Sequence, residues 1–365
     1  MNPMRIALLG CGKISQKYAG LIAAHSDAAR IVAVCDLDEA RAAEFGAKQG
    51  VASFGSIDAM MDSLGSSIDL YAVLTPSGAH AANICQLAEN GARNILVEKP
   101  IALALEDAER AIHVCERTGA RLFVVKQWRY SSAVRALREA YDDGRFGKIS
   151  LLTTRLRWCR HQQYYDEARW RGTWAHDGGV LTNQAVHAID LLVWFGGDVQ
   201  SVYAMCQTNL ANIEAEDTAV AVLRFANGRL GAIEATTAVR PKNLEASFSI
   251  IGEGGAVELA GGSVNQIETW QFEHKEPIDE VVVTGGVQAN QGAENAHWSY
   301  LQEVFASIRE GREGGVSGRD ALRSLRVIHA LYQSDQLNMP VDVATGDFSL
   351  SRLGRDVNRQ EAVLA

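Results

Sequence analysis

Six cysteines in 365 residues (Cys11, Cys35, Cys85, Cys115, Cys159 and Cys206), none in a C-x-x-C spacing, support neither a disulfide framework nor a zinc knuckle. Dispersed in this way they read as buried or half-buried free thiols. The nine histidines are equally scattered, with no H-x-x-x-H pair and no carboxylate cluster beside them, so no metal site is expected. No apolar run approaches the roughly 18 residues that a membrane span requires. Met1 to Ile6 runs straight into strand-like residues without a basic, then apolar, then cleavable leader, and the expectation is a cytoplasmic protein with no membrane partner. Positive charge is also in short supply: Lys and Arg number 35 against 44 Asp and Glu, a net charge of -9 that repels nucleic acid and anionic membrane surfaces at long range. There are no internal repeats. What remains, 47% hydrophobic and 22% charged residues, is the composition of an ordinary globular protein with room for two domains.

The first half alternates strand and helix patterns. Arg5 to Leu9 is an apolar strand that ends in Gly10-Cys-Gly12-Lys13-Ile14-Ser15, and a helical pattern follows from Lys13 to Ala24. Gly10 suits a tight turn, Gly12 lets backbone approach a pyrophosphate, and the helix start offers free N–H groups and a positive dipole end. Such a string can also be an ordinary strand-to-helix turn. A second strand, Arg30 to Cys35, ends at Asp36, about 20–25 residues after the glycines, where a carboxylate can hydrogen-bond the adenosine ribose and repel a 2′-phosphate; this favours NAD over NADP. The alternative for Asp36 is a solvated helix cap. Further strands end in Thr75-Pro76, with His80 beyond, and in Val97-Glu98-Lys99-Pro100. Alternation of this kind predicts a doubly wound parallel sheet that binds ligands beyond its strand ends. His80 is read either as a surface helix histidine or as a cofactor contact. Lys99 is read either as a solvated lysine or as a donor to a substrate oxygen, its direction set by the extended backbone that Pro100 imposes.

From residue 127 the pattern changes to longer alternating strands, with a hairpin signal at Ala226-Asn227-Gly228. This predicts an α+β domain on a mainly antiparallel open sheet. The expected division is 1–126, 127–345 and a polar, poorly packed tail over 346–365. Two stretches carry chemistry. Arg155, Arg157, Arg160, Arg169 and Arg171 fall in one window with Trp158, Tyr164, Tyr165, Trp170 and Trp174. Guanidinium forks match phosphate and carboxylate, and the rings can stack on a base or sugar, so an anionic, nucleotide-linked substrate is one reading and a solvated salt-bridged loop the other. The second stretch runs from Asp177-Gly178-Gly179 through Asn183 and Gln184 to His187 and Asp190. If Asn183 caps or opens a helix there, His187 faces the same way four residues on, suited to accept a hydroxyl proton.

These pieces resemble the Gfo/Idh/MocA oxidoreductase family over nearly the whole chain: the Gly10–Ser15 turn, Asp36, Thr75-Pro76 with His80, Glu98-Lys99-Pro100, Asp177-Gly178-Gly179 and His187-Ala-Ile-Asp190, in order. The resemblance implies NAD as cofactor, bound through Gly10, Gly12, Lys13, Ile14, Asp36, Thr75, Pro76, His80 and Glu98, with Lys99 and His187 catalytic. Many members carry aspartate where this chain has Asn183. That residue, Gln184, Tyr164-Tyr165-Asp166 and Trp170-Arg-Gly-Thr-Trp174 look like the UDP-N-acetylglucosaminuronate 3-dehydrogenases within the family. This implies substrate contacts from Arg157, Arg160, Tyr164, Arg171, Asn183 and Gln184, a 2-oxo acid as reoxidant of NADH, and a homodimer or homotetramer built on the open sheet face. The rival readings are an inositol or free-sugar dehydrogenase and a non-catalytic nucleotide-sensing regulator.

Overall fold

A computed structural model describes residues 2–283 and 293–354, which fall into two compact units: residues 2–125 with 301–322, and residues 126–283 and 293–300 with 323–354.

The first unit carries β1 (Met4–Leu9), α1 (Lys13–Ala24), β2 (Ala29–Cys35), α2 (Glu39–Gln49), β3 (Ala52–Phe54), α3 (Ile57–Leu64), β4 (Leu70–Val73), α4 (His80–Glu89), β5 (Asn94–Val97), α5 (Leu105–Thr118) and β6 (Arg121–Val124). The strands pair in parallel in the order β3-β2-β1-β4-β5-β6. Burial explains the continuous apolar runs: β4 and the Ile95–Val97 segment of β5 are buried residue by residue, as strands covered on both faces must be. Chain order reverses between β1 and β4, and the carboxyl ends of these neighbours bracket the place where such sheets take a ligand.

The second unit begins with a single 3-10 turn at Gln127–Tyr130 and continues through α6 (Ser132–Asp142), β7 (Ile149–Arg157), α7 (Gln162–Asp166), α8 (Val180–Asn183), α9 (Val186–Gly196), β8 (Val199–Gln207), β9 (Thr218–Phe225), β10 (Leu230–Thr236), β11 (Glu245–Gly252), β12 (Gly255–Ala260), β13 (Gln266–Phe272) and α10 (Pro277–Val283). After α11 (Ala293–Glu310) and α12 (Gly318–Leu337) the chain adds the edge strand β14 (Val341–Asp342). The eight strands run β13-β12-β11-β7-β10-β9-β8-β14, antiparallel except for the β7–β10 pair. The hairpin at Ala226-Asn227-Gly228 joins β9 to β10, with Gly228 at φ +84°. Helix α9 packs against β7. Because Leu152, Thr154 and Leu156 of β7 are buried, its alternate residues Thr153, Arg155 and Arg157 stand on the other, open face.

The expected tail needs correction. Val341, Val343, Phe348 and Leu353 are buried, and Gly354 N donates to Trp174 O at 2.9 Å, so residues 341–354 lie against the second unit. Widely spaced apolar side chains in a polar stretch anchor it, a pattern without period. Residues 355–365 of that expected tail lie outside the described residues. Among the described residues no helix is long and apolar enough to cross a membrane.

Candidate active site

In the first unit the glycine turn is held by geometry that only glycine permits. Gly10 has φ +89°, and a Cβ there would meet Leu74 O at 2.8 Å, so the turn can sit against the end of β4 only without a side chain. Ser15, buried, donates its hydroxyl to Gly10 O and closes the loop. Gly12 is the N-cap of α1; no side chain caps that helix, and a Cβ on Gly12 would meet nothing within 4 Å. The backbone N–H groups at this helix start therefore face open space from which a diphosphate can approach. Lys13 is exposed and Ile14 half-buried on the first turn of α1.

Asp36 reaches back to the same loop. Its Oδ2 accepts from Cys11 N at 2.8 Å and its Oδ1 from Asp38 N at 2.9 Å, leaving further lone pairs on both oxygens for ribose hydroxyls. Arg41 stands 3.5 Å from Oδ1 and 3.0 Å from Asp38. Burial pushes the neighbouring thiols up, Cys11 to about 12 and Cys35 to about 11, so neither is a nucleophile at neutral pH. The residues present thus fit a dinucleotide.

Two residues expected at the cofactor are buried and hydrogen-bonded within the fold. His80 is 1% exposed, and its ring nitrogens meet Pro100 O at 2.7 Å and Thr75 O at 2.8 Å, tying the turn after β4 to the turn after β5. Burial lowers the pKa of this imidazole, against the pull of the two carbonyls. It holds the two turns together. Glu98 is buried too, accepting from Tyr18 Oη at 3.0 Å and from Lys99 N at 3.3 Å. Thr75 and Pro76 lie at the end of β4, with the Thr75 hydroxyl on Asn83 at 2.8 Å. Lys99 follows directly, half-buried, beyond the end of β5.

In the second unit the helix α9 is buried on all sides from Val186 to Val193, so its polar residues need partners. His187 is 6% exposed and stacks on Trp128, ring centroids 5.5 Å apart. Asp190, one turn on, takes a forked pair from Arg129 at 2.7 and 2.9 Å, lies 3.4 Å from Lys126 Nζ, and accepts from Ser324 at 2.8 Å. Burial would raise the Asp190 carboxyl, but the Arg129 and Lys126 charges outweigh it and hold it well below the usual carboxylate range. Lys126, Trp128 and Arg129 are thereby drawn onto α9 in one short segment. Asn183 does not open this helix: it is the last residue of the separate short helix α8.

Around this core the structure brings together most of the expected substrate residues. The Tyr164 ring lies under Arg171 at 4.3 Å and Arg160 at 5.3 Å, and Arg160 also covers Trp158 at 5.0 Å. Trp158 meets Trp128 edge-on at 6.5 Å, which links the group to His187. Burial raises the Tyr164 hydroxyl, and so does the charge of Asp177, while a hydrogen bond with Gln184 and the two arginines oppose them. Asp177 accepts from Asn183 Nδ2. Arg157 stands apart from this group, on the open sheet face, where it pairs with Glu234 at 2.7 Å and Glu245 at 3.3 Å; the expected substrate contact is a salt bridge instead. Arg155 is likewise paired there, with Glu245 and Glu258. Lys126, Trp128 and Arg129 carried no functional signal in the sequence, because their partners are about 60 residues away in the chain. Among the described residues no group of three or more His, Cys, Asp or Glu is arranged to hold a metal ion.

Comparison with known proteins agrees with this reading of the fold. Residues 4–126 match the NAD-binding Rossmann fold of the Gfo/Idh/MocA oxidoreductase family, and residues 138–343 match its C-terminal alpha/beta domain. The chain is similar to the WlbA dehydrogenase of Bordetella pertussis, solved in complex with NADH and UDP-GlcNAcA: 38% identity, TM-score 0.89, covering 93% of this chain and 98% of that one. The WlbA dehydrogenase of Chromobacterium violaceum, solved with the same two ligands, shares 33% identity at a TM-score of 0.87, covering 95% and 98% of the two chains. An inositol 2-dehydrogenase of Rhizobium meliloti is 25% identical over 350 residues, 93% of this chain and 99% of the relative. With a glycine turn and acidic strand end that fit a dinucleotide, and both halves matched, the chain belongs to the Gfo/Idh/MocA family and is an NAD-dependent oxidoreductase.

Proposed function

We propose that this enzyme oxidises a ring hydroxyl of a nucleotide-linked sugar acid, with C3 of UDP-N-acetylglucosaminuronic acid as the reacting carbon. One observation carries the choice. In the group around Tyr164, Trp158 Nε1 and Arg171 Nε are buried donors with no acceptor among the described residues, beside two guanidinium groups stacked on one ring. A buried donor without an acceptor is costly, so such a cluster suits a ligand rich in anionic oxygens. Two relatives with 33 and 38% identity were solved with a UDP-sugar acid, which supports the same class.

NAD supplies the acceptor for the hydride that leaves the carbinol carbon. His187 takes the hydroxyl proton as the carbonyl forms, and its stacking on Trp128 keeps the ring in one orientation. Lys99 donates to the same oxygen and offsets its developing negative charge. Arg160, Arg171, Tyr164 and Gln184 hold the substrate, with Asn183 bonding a group on the sugar. A 2-oxo acid such as 2-oxoglutarate regenerates NAD in place. The enzyme works in the cytoplasm as a dimer or tetramer formed through the open sheet face, where Met205, Val220 and Val222 are exposed.

The test is NAD reduction measured with UDP-N-acetylglucosaminuronic acid, other UDP-sugars, myo-inositol and free sugars. Activity confined to the UDP-sugar acid is the expected outcome. Turnover of myo-inositol alone would overturn the proposal and assign the activity named for the Rhizobium relative.

A further inference from the structure

Beyond the carboxyl ends of the neighbouring strands β7 and β10 the two chains stay paired. Trp158 N donates to Thr236 O at 2.9 Å, Arg160 N to Thr237 O at 3.0 Å and Val239 N to Trp158 O at 3.2 Å. Cys159 N donates to Asn243 Oδ1 at 2.9 Å, so the turn after β10 is laid against the segment that carries Trp158 and Arg160. Arg240 folds back onto this junction: its Nη1 donates to Thr237 O at 3.2 Å and to Val239 O at 2.8 Å. Thr237 O thus receives both the backbone of Arg160 and the side chain of Arg240. Arg160 likewise hydrogen-bonds through Nη1, to Cys159 O at 2.7 Å and Asn243 Oδ1 at 3.4 Å. The other edge of a guanidinium, Nε with Nη2, is a fork that grips an oxyanion. Arg129, Arg157 and Arg319 close this edge on Asp190, Glu234 and Glu116. On Arg160 and Arg240 it has no acceptor among the described residues, and neither residue has a salt bridge there. In a chain with 44 acidic and 35 basic side chains, two open forks on one junction are set for an anion from solution.

We propose that the Nε–Nη2 edges of Arg160 and Arg240 bind the diphosphate of the substrate, and that Arg240 sets the preference for a nucleoside diphosphate sugar over a free sugar acid. Arg160 covers the Tyr164 ring, whereas Arg240 stands on the exposed turn after β10. The diphosphate lies across this junction with the sugar toward Tyr164. The inference rests on the proposed nucleotide-sugar reading and adds to it a subsite and a residue that sets specificity. Lys242, two residues beyond Arg240, is exposed and carries the same charge without a fork. It therefore separates a directed contact from long-range attraction.

Calorimetric titration of UDP into the protein with NAD present reads the subsite without turnover. Arg240→Gln should bind UDP about tenfold more weakly than the wild type, and Lys242→Gln less than about threefold more weakly. Arg240→Lys, which keeps the charge and loses the fork, should fall between the two. The NAD dissociation constant should not change in any of them. Arg240→Gln should also raise KM for UDP-N-acetylglucosaminuronic acid by about tenfold with kcat within about twofold of the wild type, since the diphosphate is bound equally before and during hydride transfer. Arg240 holds only two backbone carbonyls of its own turn, so the melting temperature of this variant should stay within about 2 °C of the wild type. Wild-type UDP affinity in either Arg240 variant would overturn the inference, and so would an equal loss in Lys242→Gln, or a fall in kcat at unchanged KM. If that happens in an enzyme that still oxidises the UDP-sugar acid, only the subsite is lost. A wild-type protein that binds no UDP and oxidises myo-inositol would overturn the proposed function together with it.

Discussion

The imidazole of His187 lies against the indole of Trp128, with ring centroids 5.5 Å apart and 30° between the planes. The pair is built by Asp190, which sits one helical turn from His187 and draws Lys126 and Arg129 onto α9 from either side of the tryptophan. Replacing Trp128 with leucine removes the stacking surface, worth about 1 kcal/mol, and frees the ring to rotate. The expected result is a fall in kcat of about fivefold to tenfold with a smaller change in KM, while Trp128→Phe keeps most of the activity. Steady-state kinetics of the two variants check this. Equal kcat values in the leucine variant and the wild type would show that the stack does not orient His187.

Removing the Asp190 charge takes the carboxylate away from two buried cations. Asp190→Asn should destabilise the protein by about 3–5 kcal/mol at pH 7, read from a denaturant unfolding curve. The native state holds this carboxyl below its unfolded value of about 3.9, so its contribution is present above that pH and is lost as the pH falls below it. The variant should therefore show a shallower acid limb than the wild type. A parallel acid limb would place the stabilising charge elsewhere.

Glu216 titrates in the opposite sense. It is 3% exposed, accepts from Leu181 N and Tyr332 Oη, each at 2.9 Å, and burial pushes its carboxyl up to about 8. A carboxyl raised from 4.5 contributes stability that is full below pH 4.5 and is lost as the pH rises through about 8. Glu216→Gln keeps an acceptor oxygen and removes the titration. The stability of the wild type relative to this variant should drop by an amount on the order of 4 kcal/mol between pH 4.5 and pH 8. Unfolding curves at pH 5, 6.5 and 8 measure it, and a constant difference across the series would contradict the assignment.

We propose that Asp36 sets the choice of dinucleotide. With Asp36 in place, a 2′-phosphate meets a carboxylate; in Asp36→Ala that repulsion is gone, and Arg41 keeps Asp38, 3.0 Å away, as its partner. The NAD-over-NADP ratio of kcat/KM should fall by about two orders of magnitude, mostly through loss of NAD binding. An unchanged ratio would remove Asp36 from the ribose site.

The glycine turn and the places of Asp36 and Lys99 at strand ends were legible in the sequence because each follows from a strand end and a fixed spacing. The division into a parallel and a mainly antiparallel sheet was legible for the same reason, from the period of the apolar residues. The residues around His187 were not, since Lys126, Trp128 and Arg129 acquire meaning only when α9 folds back onto them. The edge strand Val341–Asp342 is two residues long and has no period to read. The anchors Phe348 and Leu353 are single apolar residues in a polar stretch. His80 shows the limit of reading residue type alone: one reading made it a surface helix histidine, yet it is buried and ties two turns through two carbonyls.

Arg157 ends β7 and Trp158 follows it, and the two turn to different surroundings: the tryptophan meets Trp128, the arginine the acidic pairs of the open face. A one-residue insertion or deletion early in β7 would exchange the two environments, placing a guanidinium among the rings beside His187 and an indole among Glu234 and Glu245. The two surfaces of this strand are therefore locked in phase. In descendants of this chain either face can change by substitution, but neither can change by a shift in length without the other.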